Sequence, residues 1–213
     1  MDKMHITILI DNESWILPYG EKLLMTLEKL GYKVHFARSA EEVLPGWINF
    51  LLGCTRIIDE ATLNKNKHNL VVHESDLPKG KGFAPMAWQI LEGKEEIPVR
   101  LIEAATNVDS GCIWLKDQIV LSGTELCEDW RKLQGDKTIE LCLRFVSEYH
   151  LLNPIEQRGD STYYSRRRVA DSEINPDKTI REQMKLLRIV DNARYPGFFY
   201  INGSKYEIQI KKL

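Results

Sequence analysis

The side chains in this chain that could do chemistry sit in loops. His73 closes the run Asn69-Leu-Val-Val72 and opens a polar stretch punctuated by glycine and proline, His73-Glu-Ser-Asp-Leu-Pro-Lys-Gly-Lys-Gly-Phe-Ala-Pro85. Asp109 stands before Ser110-Gly111 in a second loop. An imidazole titrates near neutral pH, and a carboxylate that orients it also favours its charged form, so such a pair can move a proton. On the residues alone a plainer reading stays open, in which His73 caps a strand and Asp109 turns a loop. The four cysteines, Cys54, Cys112, Cys127 and Cys142, lie far apart with no Cys-x-x-Cys. They supply no metal site, and a chain of this length needs no disulfide staples, so a reduced, cytoplasmic protein is expected.

The elements that must carry these loops read as alternating strands and helices. Ile6–Ile10 is a β-rich run, and Leu23, Leu24, Leu27 and Leu30 recur at helical spacing before Gly31. Strands are expected at Lys33–Ala37, Trp47–Leu52 and Asn69–Val72, with a short helix at Asp59–Leu63. This alternation predicts an α/β fold with a Rossmann-like, mostly parallel open sheet. A helix from Pro85, strands at Ile97–Ala105 and Cys112–Leu121, and a long amphipathic helix over Thr124–Tyr149 follow. Beyond it the chain reads as an extended polar stretch, a helix over Asp177–Asp191 and a hairpin turning at Asn202-Gly203. Residues 1–150 are expected to form the catalytic domain and 151–213 an extension packed on it. In an open α/β sheet, ligands bind beyond the carboxyl ends of the strands. That rule selects the loops Asp11–Pro18, His73–Pro85 and Thr106–Gly111.

Composition narrows the classes. Hydrophobic residues at 43% and charged residues at 28% suit a globular core and exclude disorder. No apolar run approaches the ~20 residues that a membrane span needs. Met1–His5 runs straight into a strand-like stretch, so no secretory leader is expected. The net charge of −2 gives the whole molecule no electrostatic claim on nucleic acid. The charge is uneven, however. Residues 158–213 carry 12 Lys and Arg against 7 Asp and Glu, leaving 17 against 24 in the rest. An anionic ligand docking where the two parts meet would suit this, and so would a solvated basic face.

The stretch His73-x-Ser75-x-Leu77-Pro78-x-x-x-Gly82-x-x-Pro85 resembles the signature of the folate-dependent formyltransferase family, and Asp109-Ser-Gly111 sits where that family has Asp-x-Gly. The resemblance covers roughly residues 5–150. It implies a Rossmann-like domain that carries a formyl group from 10-formyltetrahydrofolate to an amine, with His73 and Asp109 catalytic and no metal required. Family members act on methionyl-tRNA, glycinamide ribonucleotide or nucleotide-linked amino sugars. The tRNA enzymes carry a further basic barrel, for which the roughly 60 residues after the long helix are too few. Leu187-Arg-Ile-Val-Asp191-Asn192-x-Arg194-Tyr195-Pro196 and Ser161-Thr-Tyr-Tyr-Ser-Arg-Arg167 look like the C-terminal signature of small sugar formyltransferases of surface-glycan pathways, including those associated with pseudaminic acid. The partners implied are folate and a nucleotide-linked amino sugar, without nucleic acid or membrane. Methionyl-tRNA or another amine as acceptor, hydrolysis of the folate, and a non-catalytic binding domain are the alternatives.

The same resemblance implies that the pterin slots between Cys54, Thr55 and Ile57 on one loop and Thr106, Asn107 and Val108 on another. Plain core packing is the competing account of Cys54 and Ile57. For the second substrate the candidates are Asn12, Ser14 and Trp15 from the first loop, with Ser75, Lys79 and Lys81 from the histidine loop. Lysines on a glycine-punctuated loop can meet a diphosphate, and Trp15 can stack on a ring. Arg166 and Arg168 share a face of an extended segment and suit phosphate. Arg181, Lys185 and Arg188 form a stripe on the final helix, read as a solvated face, and the apolar side of that helix could pack on the body or in a homodimer. One departure stands out. The family places an asparagine two residues before the histidine to hold the formyl oxygen, and here that position is Val71. Asn69 is roughly 6.6 Å further down the strand and cannot substitute, which leaves a backbone N–H, Ser75 or another loop as donor.

Overall fold

The computed structural model describes residues 5–213; Met1–Met4, on which the exclusion of a leader partly rests, lie outside the described residues. In chain order the elements of the first half are β1 His5–Leu9, α1 Leu17–Lys29, β2 Lys33–Ala37, β3 Gly46–Leu51, α2 Glu60–Leu63, β4 Asn66–His73, β5 Lys81–Gly82 and α3 Pro85–Glu92. The second half holds β6 Glu96–Glu103, β7 Ile113–Val120, α4 Cys127–Glu148, β8 Tyr163–Tyr164, α5 Met184–Ile189, β9 Gly197–Ile201 and β10 Ser204–Ile208. No helix among the described residues is long and apolar enough to cross a membrane.

Six strands form the central sheet in the order β2-β1-β3-β4-β6-β7. The pairings of β1 with β2 and β3, and of β3 with β4, are parallel, as the alternation predicts. Those of β6 with β4 and β7 are antiparallel. Helix α3 explains the reversal. Its eight residues span about 12 Å, against about 26 Å for an eight-residue strand, so it does not return the chain to the far end of the sheet. The next strand therefore starts beside the end of β4, with His73 opposite Arg100 and Leu70 opposite Glu103.

Alternation along the strands separates two faces. Ile6, Ile8, Ile48, Phe50 and Leu70 join Leu23 and Leu27 of α1 and Ile139 and Phe145 of α4 in the main core. Leu9, Ala37, Val43 and Leu51 make a thinner cluster on the other face, with Val71, Cys54, Ile58 and Ala104 packed against it. The side carrying Val71 and His73 is thus covered mostly by loops, which is where a ligand can enter.

Helices α1 and α4 meet at Gly135, where a Cβ would lie 2.4 Å from the ring of Tyr19. The last helix departs from expectation. Only six residues, Met184–Ile189, are helical. Upstream, the Gln183 side chain bonds Asn175 N–H and O, and Glu182 accepts from Thr179 N–H and Oγ1. Such side-chain bonds to nearby backbone compete with a helix. Arg188 is also buried rather than solvated, bonded to the carbonyl and carboxylate of Glu125.

Two outcomes follow from this packing. Gly135→Ala gains about 1 kcal/mol of helix propensity, yet crowding Tyr19 costs about 1–3 kcal/mol. Denaturant unfolding should register a net loss that turns into a gain in a Tyr19→Ala background. Burial alone would raise the Glu125 carboxyl, but Ser122 N–H and hydroxyl and the Arg188 guanidinium outweigh it and bring it down to about 2. Its stabilising contribution is complete above the unfolded value of about 4.5 and lost as pH falls through about 2. The stability gap between the native chain and Glu125→Gln, measured by urea unfolding, should therefore narrow from pH 4.5 to pH 2.

Candidate active site

His73 ends β4 and is buried, and its ring meets two different loops. Nε2 lies 2.8 Å from the carbonyl of Gly80. A carbonyl only accepts, so Nε2 carries the proton and Nδ1 is the nitrogen free to take one. Nδ1 faces Asp109 Oδ2 at 3.6 Å, just beyond hydrogen-bond length. The same carboxylate oxygen accepts the N–H of Gly82 at 2.8 Å. One four-residue turn, Lys79–Gly82, therefore holds the histidine through a carbonyl and the aspartate through an N–H.

Asp109 arrives by a route that the loop rule does not describe. Because β6 runs opposite to β4, its carboxyl end lies beside Asn69, where Ala104 N–H donates to the Asn69 carbonyl. From there residues 104–109 come back to His73. Asp109 itself has φ +49, in the left-handed region that aspartate tolerates better than most residues. Gln157 Nε2 clasps the loop, donating to the carbonyls of Asp109 and Gly111 at 2.8 and 2.9 Å.

Val71 is a packing residue between Leu51 on one side and Leu77, Ile102 and Ile113 on the other. Asn69 is spent elsewhere, donating to Leu63 O at 2.8 Å and accepting from Asn49 at 3.2 Å. The Ser75 hydroxyl, in a residue only 2% exposed, has no hydrogen-bond partner. Glu74 points to the other side of the strand. Burial pushes its carboxyl up, opposed by the nearby His73 and a bond from Gln134.

The two loops expected to hold a pterin share the thin cluster through Cys54, Ile58 and Ala104. Burial pushes the Cys54 thiol up to about 12, so it packs as a neutral group. Thr55 is tied to the Asp11 carboxylate by its N–H and hydroxyl. Ile57 is 73% exposed and Val108 40%, so neither is core, while Thr106 and Asn107 are exposed beside Val108.

The expected second-substrate residues fall in several places. Ser14 and Trp15 line a cleft of about 1000 Å³ with Tyr19, Arg131, Arg194 and Lys211, a cleft that includes neither His73 nor Asp109. Ser75 and Lys79 line a smaller cavity of about 420 Å³ with Gly80, Thr162 and Tyr164. Asn12 spends its amide on Asp11 and the Gly53 carbonyl. Lys81 is buried, its Nζ 6.0 Å from the Tyr163 ring centre, so the two lysines do not act as a pair. Arg167 turns inward to Ile189 O and Asp171 O, leaving Arg166 and Arg168 exposed on the outer side, with Arg166 over Phe83 at 5.1 Å. Gln157 escapes a reading of the sequence, and Thr162, although inside the Ser161–Arg167 stretch, carries no assigned role there. The Gly80-x-Gly82 spacing signals close approach of another chain segment, but not which one.

No family model matches the chain. Over 110 residues, 51% of this chain, it is 28% identical to the methionyl-tRNA formyltransferase of Rickettsia massiliae (strain Mtu5), a match that spans 36% of that protein. The chain thus spans well under half of the curated relative's length. The methionyl-tRNA formyltransferase structure from Clostridium thermocellum superposes with a TM-score of 0.82 at 21% identity, covering 99% of this chain and 93% of that one. A 4-N formyltransferase from Francisella tularensis gives 0.73 at 16% identity, with 99% of both chains covered. HypX from Aquifex aeolicus, in complex with tetrahydrofolic acid, gives 0.80 at 14% identity, with 96% of this chain and 37% of that one covered. The chain is thus similar in sequence to a methionyl-tRNA formyltransferase and shares the fold of formyltransferase structures. Among these, a sugar N-formyltransferase from Shewanella sp FDAARGOS_354 superposes with a TM-score of 0.69 at 15% identity, with 97% of both chains covered.

Proposed function

We propose that this chain transfers a formyl group from 10-formyltetrahydrofolate to the amino group of a nucleotide-linked amino sugar. The observation that carries the reading is the convergence of His73 and Asp109, 36 residues apart in sequence, on one buried turn. The loops around Ile57 and Val108 fit a flat ring, since both offer large apolar side chains that the fold leaves uncovered. Bound there, 10-formyltetrahydrofolate supplies the carbon to be transferred. Nδ1 of His73 would take the proton that the attacking amine must lose and return it to the folate nitrogen as its bond to the formyl carbon breaks, so that the histidine ends the cycle neutral. Asp109, already opposite Nδ1, stabilises the resulting imidazolium and costs no reorganisation at that moment. The Ser75 hydroxyl is the unspent donor in the motif and stands in for the amide that Val71 lacks.

For the acceptor, the cleft holding Trp15 is at the upper end of small-molecule sites in size, with an aromatic ring beside Lys211. Arg131 and Arg194 are bonded to Asp191 and the Glu13 carbonyl, and Glu128 and Asp129 also line the cleft. The size and the ring suit a base and a sugar. A second reading takes methionyl-tRNA as acceptor and is favoured by the name of the sequence relative. Incubation with 10-formyltetrahydrofolate and either a panel of nucleotide-linked amino sugars or methionyl-tRNA separates the two, with a sugar formamide expected. Product from methionyl-tRNA alone would transfer the assignment to the second reading, and product from neither would end it. Asp109→Asn keeps an acceptor for Gly82 N–H but loses the charge, so kcat should fall about 10²–10⁴-fold, as should that of His73→Ala.

A further inference from the structure

The stretch after α4, expected to be an extended polar tail, crosses both loops of the site. Ile155 exchanges backbone bonds with Ile113, at 2.9 and 2.8 Å. Further on, Thr162 meets the turn that holds His73. Its Oγ1 accepts the N–H of Gly80 at 2.8 Å, and its carbonyl accepts the N–H of Lys81 at 2.9 Å. The second bond matters for chemistry. The N–H of Lys81 and the carbonyl of Gly80 belong to one planar peptide unit and point in opposite directions. Holding that N–H therefore aims the carbonyl that receives Nε2–H of His73.

Both glycines of the turn answer to this contact. A Cβ on Gly82 would lie 2.4 Å from the Tyr164 carbonyl oxygen, and one on Gly80 2.8 Å from the Tyr164 ring. The strap is itself anchored to α3, because Tyr164 stacks on Trp88 and its hydroxyl donates to Glu92 at 2.7 Å, while Trp88 Nε1 donates to Ser165 O. The turn is thus held, through Tyr164 and Ser165, against helix α3.

We propose that Thr162 is a positioning residue for the reaction, which holds Gly80 from both sides, its hydroxyl on the Gly80 N–H and its carbonyl on the Lys81 N–H. Loss of the hydroxyl alone then frees the Gly80 carbonyl to turn, and His73 is no longer committed to the Nε2–H form with Nδ1 as base. The proposal rests on the formyl-transfer reading for its kinetic consequence but not for its spectroscopic one. Thr162 is exposed, so Thr162→Val removes the hydroxyl with little change of shape, and Thr162→Ser restores it. The test is the ¹⁵N spectrum of the His73 ring in the whole chain, with thermal unfolding as a check of folding. The unmodified chain should show the Nε2–H tautomer, Thr162→Val a mixture, and Thr162→Ser the original state. In steady-state assays Thr162→Val should lower kcat about tenfold to a hundredfold, with KM for 10-formyltetrahydrofolate unchanged and kcat recovered in Thr162→Ser. A folded Thr162→Val whose His73 spectrum matches the unmodified chain overturns the proposal, as does a Thr162→Ser that behaves like Thr162→Val. A chain that makes no formamide but still shows the tautomer change refutes the function and leaves the positioning role standing.

Discussion

The turn Lys79–Gly82 must offer a carbonyl in one direction and an N–H in another. Gly80 O takes the proton-bearing nitrogen of His73, and Gly82 N–H takes the carboxylate of Asp109. A backbone carbonyl cannot donate and an amide N–H cannot accept, so the first bond decides the tautomer of His73 and the second fixes the Asp109 carboxylate beside it. They also require a tight turn with glycines at φ +72 and +98, where another segment lies against the backbone. The positions of α3, of the residues around Thr162 and of the Asp109 loop all serve that requirement.

The reversal of strand direction at β6 is the second constraint. Had α3 been long enough to return the chain for a parallel strand, the loop after β6 would leave from the same end as His73. Instead it starts beside Asn69, and it needs the residues from Ala104 onward to reach the histidine. Those residues, with Cys54 and Ile58, roof the thin face of the sheet and leave Ile57 and Val108 uncovered. A short helix thus creates both the approach of Asp109 and the apolar rim beside it.

Charge patterning carried less information than residue spacing. The basic surplus after residue 158 does not form one patch. Arg167 and Arg188 are buried and bonded to carbonyls, Arg194 donates to the Glu13 carbonyl, and Arg166 and Arg168 face outward. Arginine can satisfy several carbonyls at once, so a count of arginines does not distinguish a ligand site from the fastening of a tail. The lysines of the histidine loop part for a related reason, since the close contact with Tyr163 and Tyr164 buries Lys81 and leaves Lys79 outside.

Much of the frame is determined by local pattern. Apolar period and turn residues place β1 to β4, α1, α4 and the Asn202-Gly203 hairpin within a few residues of where they lie, because these elements answer to their own sequence. The motif spacing likewise singles out His73 and Asp109. Tertiary structure alone decides the direction of β6, the burial of Arg188, the break-up of the last expected helix, and the meeting of Thr162 with Gly80. Each of those depends on a partner tens of residues away, and a hydrogen bond between distant backbone groups leaves almost no mark on the identity of the residues that make it.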